Sequence, residues 1–224
     1  MILQGIDQLR VIGVEEMGRL LRIVNVGFMA FYFNSPCQRL TKWTPEALAA
    51  LTDLGLMALP IYVGSQTPFY QCATDLSTDM AGEHARDAAR LMVEWGYLPE
   101  RQIPCVLDIE AETYAWRPVE TADYGAAWAA ELDRLGYLPT IYGDADTLRA
   151  VGAQLSIDWQ AWLARWVRKE LDPTVTTRQL FADAGLSAAA GRRIVQYASQ
   201  NHYPPMGGLG YDWNAADAEF APAM

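Results

Sequence analysis

Apolar runs alternate along this chain with stretches of helical spacing. Seven runs read as strands: 2–7, 26–33, 57–63, 103–110, 140–142, 194–198 and 210–213. Most are continuously apolar, the pattern of strands covered on both faces. Between them, Thr44-Pro45-Glu46 opens a helix with a cap residue and a first-turn proline, and Leu48, Leu51 and Leu54 follow at helical spacing. A second helix is predicted over 79–95, with Ala81, Ala85, Ala88, Ala89 and Met92 on one face, and His84 is expected on its surface. A third over 121–135 carries Tyr124, Trp128 and Leu132. These helical patterns end at Gly55, Gly96 and Gly136, each followed by an apolar strand. Glycine is the usual residue just past a helix. Regular helix-strand alternation predicts a parallel sheet with right-handed crossovers.

The segment 159–166 is ambiguous. Its tryptophans fit a helix, yet Trp162, Ala164 and Trp166 would also share one face of a strand. Counted as a strand, it makes eight. The chain is then an α/β protein of (β/α)8 TIM-barrel type, near that fold's lower size limit at 224 residues. Residues 170–191 show no strong strand, and no linker divides the chain, so a single domain over 1–224 is expected.

Composition narrows the function. The formal net charge is −10 and the longest basic stretch, Arg165 to Lys169, is interrupted by Trp166 and Val167. Nucleic acid and anionic membrane surfaces are poor partners for such a chain. No apolar run reaches spanning length, so membrane insertion is not expected. No secretion signal is visible before the first strand, which leaves retention, export by another route and a removed signal all open. Cys37, Cys72 and Cys105 form no CxxC spacing. Cys105 reads as core, whereas Cys37 and Cys72 lie in post-strand loops and a bridge between them stays open. His84 and His202 alone make His-based metal sites and His-driven mechanisms poor candidates. Nothing calls for a cofactor or a metal. There is no GxSxG, Walker, HExxH or EF-hand pattern. Eight Trp and eleven Tyr suit a core, and equally a flat ligand such as a carbohydrate.

Carboxylates remain. The fourth run ends Asp108-Ile109-Glu110, two acids at strand spacing. Neighbouring carboxylates cannot both ionise cheaply, so one pKa rises and an acid becomes available beside a base. In a barrel of this type, function sits at the carboxyl ends of strands. Asp7 ends the first strand and Asp212 lies on the last, its neighbour across the closure. Gln66, Tyr142, Gln196 and Asn214 fall at the same end. Tyr62, Trp162 and Trp213 are candidate stacking rings for the same substrate. Each has an ordinary alternative: a helix cap for Asp7, a turn acid for Asp212, core packing for Tyr142 and Trp162.

The motifs Gly5-Ile6-Asp7, Leu59 to Gln66, Asp108-Ile109-Glu110, Trp162 to Trp166, Val195-Gln196-Tyr197 and Asp212-Trp213-Asn214 together resemble the glycoside-hydrolase-like barrel domains of bacterial secreted and phage proteins. These are similar in turn to the family 25 lysozymes, which are muramidases. The resemblance implies a (β/α)8-type barrel, a strand from about Ala161, and cell-wall polysaccharide as partner. It implies Glu110 as general acid, Asp108 as the group that orients the substrate N-acetyl or stabilises positive charge, and Asp7 and Asp212 as further active-site carboxylates. Two rivals stand beside a glycosidase: an inactive barrel that binds glycan or docks to a phage or secretion assembly, and a metal-dependent phosphoesterase. A single barrel is compatible with a monomer.

Overall fold

The structure is a computed structural model, and it describes residues 2–7, 10–23, 26–38, 42–99, 103–165, 177–186, 192–198 and 211–217. Trp166, His202 and the glycine cluster at 207–210 lie outside the described residues. The chain runs β1 (Ile2–Asp7), α1 (Val14–Ile23), β2 (Val26–Tyr32), α2 (Pro45–Thr52), β3 (Met57–Val63), a 3₁₀ turn (Pro68–Tyr70) and α3 (Thr78–Glu94). It continues through β4 (Pro104–Asp108), α4 (Ala111–Trp116), α5 (Pro118–Arg134), β5 (Leu138–Gly143), α6 (Ala145–Gly152) and β6 (Gln160–Ala164). It closes with α7 (Thr177–Asp183), β7 (Arg192–Ala198) and β8 (Asp212–Asp217).

The eight strands form a closed barrel in sequence order. The ambiguous tryptophan segment is strand β6, and α7 occupies the stretch without a strong strand. Strands β1 to β7 are parallel, but β8 runs antiparallel to both β7 and β1. This corrects the expectation of a wholly parallel sheet. The sequence between β7 and β8 contains Pro204, Pro205, Gly207, Gly208 and Gly210. It lacks the helical pattern that the crossover to a parallel strand normally needs.

Side chains alternate between two apolar layers. Phe28, Ala30, Leu59, Ile61, Val106, Trp162, Ile194 and Ala216 fill the barrel. The alternate residues, including Ile6, Phe31, Tyr62, Leu107 and Trp213, pack outward with Ala85, Ala88, Trp128 and Leu132 of the helices. Full burial of one such side chain is worth about 1.5–3 kcal/mol. The predicted glycine stops are real: Gly55, Gly96 and Gly136 have φ of 86°, 85° and 87°. After α3 the Tyr97 N–H returns to the Met92 carbonyl at 2.9 Å, which satisfies a helix-end acceptor.

His84 is a correction. It is buried, and its Nδ1 lies 2.6 Å from the Tyr124 hydroxyl. Its neighbours Ala81, Ala85 and Ala88 are too small to keep α3 away from α5, so the imidazole fills part of that contact. A disulfide joins Cys37 to Cys72, while Cys105 is free and buried. Among the described residues no helix is long and apolar enough to cross a membrane.

Gly5 faces the barrel interior beneath Asp7. A Cβ there would lie 2.1 Å from the Phe28 ring. Gly5→Ala is therefore expected to cost about 1–3 kcal/mol by overpacking, read as a lower urea midpoint with an unchanged slope.

Candidate active site

The mouth is formed where β1 to β7 end and β8 begins. Asp7 pairs with Asp212 across the antiparallel β1–β8 ladder. Asp212 thus reaches the predicted end of the barrel because β8 is reversed, at the start of its strand rather than at its end. Asp7, Asp108, Tyr32, Tyr142, Trp162 and Gln196 surround a small floor cavity of about 10 Å³, with Ile61 and Val106 below. That is room for roughly one water. A larger ligand has to lie above it.

Two amides hold Asp7. Its Oδ2 accepts from Asn214 Nδ2 at 2.9 Å and from Gln196 Nε2 at 3.1 Å. Those amides are held in turn: the Tyr142 hydroxyl donates to Gln196 Oε1 at 2.6 Å, and Trp162 Nε1 donates to Asn214 Oδ1 at 2.9 Å. The rings of Tyr142 and Trp162 meet edge to face at 5.4 Å. These four side chains brace a carboxylate as well as line the mouth. Burial, and then the charge of Asp212, push Asp7 up to about 8, against the lowering effect of the two amides.

The acid pair is arranged differently from the predicted strand. Strand β4 ends at Asp108, Ile109 points into the outer layer, and Glu110 is the cap residue of α4. Asp108 is inside the barrel and Glu110 stands above it on the rim. Burial first, and then Glu110 and Asp7, push the Asp108 carboxyl well above the usual carboxylate range. Its Oδ1 is buried with no hydrogen-bond partner among the described residues. Glu110 is half-buried, and burial, Glu112 and Asp212 raise it to about 6.

Gln66 does not face the mouth. It is buried behind the β4–α4 turn, where Nε2 donates to the Asp108 carbonyl at 2.7 Å. Its Oε1 accepts from the Glu110 N–H at 3.3 Å and from the Thr113 hydroxyl at 2.5 Å. It fixes the turn that carries the acids. Tyr62 and Trp213 are corrections: both belong to the outer layer, and the Tyr62 hydroxyl donates to Asp87 of α3 at 3.1 Å. The strand of Tyr62 is apolar on both faces, so its sequence does not say which face is the interior, whereas Trp213 lies between Asp212 and Asn214, whose spacing of two sends it to the opposite face.

Tyr32 is a mouth residue that the sequence reading does not single out. Phe28, Ala30 and Tyr32 share the inner face of β2, and period two from Phe28 is the signal that finds it. Burial and the charges of Asp7 and Asp108 hold its hydroxyl firmly protonated. No group of three or more His, Cys, Asp or Glu among the described residues is placed to hold a metal ion.

This closed barrel, with its carboxyl cluster at one mouth, has a glycoside hydrolase-like architecture. The chain belongs to the Rv2525c-like, glycoside hydrolase-like domain family, whose sequence pattern matches residues 25–216. Among solved structures it is similar to an uncharacterised B. stearothermophilus protein, with 17% identity, 97% of each chain covered and a TM-score of 0.68. It is also similar to the catalytic domain of the endolysin ply40 from bacteriophage P40 of Listeria monocytogenes, with 12% identity, 98% of this chain and 95% of that one covered, and a TM-score of 0.60. A family 25 glycosyl hydrolase from Bacillus anthracis shares 12% identity over 97% of this chain and 90% of its own, with a TM-score of 0.57. At these identities the likeness is one of fold. No curated protein matches the chain.

The raised pKa of Asp7 has a stability consequence. The folded state holds this proton up to about pH 8, whereas an unfolded aspartate releases it near pH 4. The resulting contribution is fully present below about pH 4 and is lost as pH rises through about 8. Asp7→Asn should flatten the fall in melting temperature between those limits, an effect on the order of a few kcal/mol.

Proposed function

We propose that this protein is a glycosidase acting on bacterial cell-wall glycan in the manner of a muramidase, with Glu110 as general acid. The observation that carries the reading is the position and acidity of Glu110. It is half-buried at the rim with its pKa raised to about 6, directly above a floor of buried carboxyls. A general acid works best with a pKa near the working pH. The similarity to an endolysin catalytic domain and to a family 25 glycosyl hydrolase supports the choice of substrate.

A sugar unit resting over the floor brings its glycosidic oxygen to Glu110, which donates the proton as the bond to the leaving sugar breaks. Positive charge develops on the ring that remains, until water adds to it and returns a proton to Glu110. Asp108 lies below that ring with its Oδ1 sealed from solvent, and positive charge on the ring favours the ionised carboxylate, which places negative charge where the ring needs it. Asp212 acts through charge, since it raises the proton affinity of Asp7 and Glu110, whereas Asp7, which holds its proton up to about pH 8, is a neutral part of the floor. Tyr142, Gln196, Trp162 and Asn214 keep Asp7 in place and form the floor.

Wild type is expected to release reducing muramic-acid ends from purified peptidoglycan, read by mass spectrometry. Glu110→Gln should lose about 10²–10⁴-fold in rate, the usual contribution of a general acid. Absence of cleavage by folded wild type from acid to neutral pH would sink the proposal and leave a barrel that binds without turnover.

Glu112 supplies the largest charge effect on Glu110. Removing it makes ionised Glu110 less unfavourable, so the pKa falls. Glu112→Gln should shift the Glu110 carboxyl titration to lower pH by carbon NMR, and should shift the alkaline limb of activity the same way.

A further inference from the structure

A second concavity of about 400 Å³ opens on the rim, walled by the Cys37–Cys72 disulfide with Gln38, Tyr70 and Gln71. Its size falls within the range of small-molecule sites. The Tyr70 hydroxyl donates to Glu112 Oε2 at 3.0 Å, and Glu112 is in the first turn of the helix that Glu110 caps. The cleft is therefore linked through Tyr70 to the helix that Glu110 caps.

Its walls are fixed from several directions. The disulfide ties the loop after β2 to the loop after the 3₁₀ turn. Ser35 and Gln38 exchange two backbone hydrogen bonds of 3.0 Å, and the Cys37 N–H reaches the Val63 carbonyl at 3.3 Å. The Thr67 N–H donates to the Thr113 hydroxyl at 3.1 Å, which joins the 3₁₀ turn to α4. Gln71 has φ of 53°, and it is the non-glycine residue with positive φ among the described residues. This left-handed residue ends the 3₁₀ turn, with its N–H on the Pro68 carbonyl at 3.1 Å. The described lining contains no Asp, Glu, Lys or Arg. It offers two side-chain amides, a phenol ring and backbone groups.

We infer that this cleft is a subsite for an uncharged sugar residue of the glycan chain, next to the unit held over the mouth. The inference rests on the reading of the mouth as a glycan site. The amides match hydroxyl and N-acetyl groups, and the Tyr70 ring offers an apolar face to a pyranose. A charged stem peptide would find no counter-charge among the described lining residues.

The test is calorimetric titration of wild type, Tyr70→Ala and Gln71→Gly with the β-1,4-linked dimer and tetramer of N-acetylglucosamine, alongside peptidoglycan cleavage. Glycine accepts the left-handed backbone, so Gln71→Gly keeps the loop and should melt no lower than wild type. Each variant is expected to bind the tetramer about fivefold more weakly, the loss of one ring contact or one amide hydrogen bond, with dimer affinity unchanged. Tetramer affinity equal to wild type in both variants would overturn the subsite, and active cleavage in that case leaves the glycosidase standing. Selective loss of tetramer affinity without wild-type cleavage supports the subsite and removes the glycosidase. Wild type that binds neither oligosaccharide overturns the subsite.

Discussion

A carboxyl group taken out of water must find hydrogen-bond donors, a proton or an opposite charge, and the mouth of this barrel is organised around that demand. Asp7 meets it with two amides and a raised pKa. The amides need orienting partners of their own, which accounts for Tyr142 against Gln196 and Trp162 against Asn214. Residues from β1, β5, β6, β7 and β8 are thereby committed to a single oxygen atom. Asp108 has no such donor on Oδ1, so it meets the demand with a proton. The difference separates a braced acid from one whose charge state a ligand can change.

Around this floor the fold supplies position and little else. Gln66 uses its side-chain amide on the Asp108 carbonyl, the Glu110 N–H and the Thr113 hydroxyl, all at the β4–α4 junction. Glu110 then owes its height above Asp108 to a strand that stops and a helix that starts, with Ile109 between them anchored in the outer layer. The Ile109 N–H donates to the Tyr142 carbonyl at 3.1 Å, which extends the β4–β5 ladder one residue and steadies the step.

Much of this is legible in the order of amino acids alone. Glycine stops and apolar runs locate α2, α3 and α5 and most strands, because left-handed helix ends and doubly covered strands leave strong local signals. Asp7, Asp108, Glu110 and Asp212 stand out as acids at run boundaries, and they do gather at one mouth. Less legible is whatever depends on direction or side. The reversal of β8 is set by its connection, which a run of apolar residues does not encode. Tyr62 and Trp213 read as mouth residues and face outward instead: the strand of Tyr62 is apolar on both sides and has no polar mark to fix its parity, while Trp213 stands between Asp212 and Asn214 and takes the face they leave. The same lack of a polar mark hides Tyr32. His84 looks polar in one dimension and fills a gap between two helices in three. The Cys37–Cys72 bridge spans 35 residues, and only the barrel brings its ends together.

The reversed last strand has one more effect. Because β8 starts at the mouth, it finishes at the opposite end, where Asp217 pairs with Ile2 at the beginning of β1. The first and last described residues of the barrel therefore leave together from the face farthest from Glu110. A tether, a fused module or a solid support attached through either one would hold the protein by its base and leave the mouth open to an insoluble polymer.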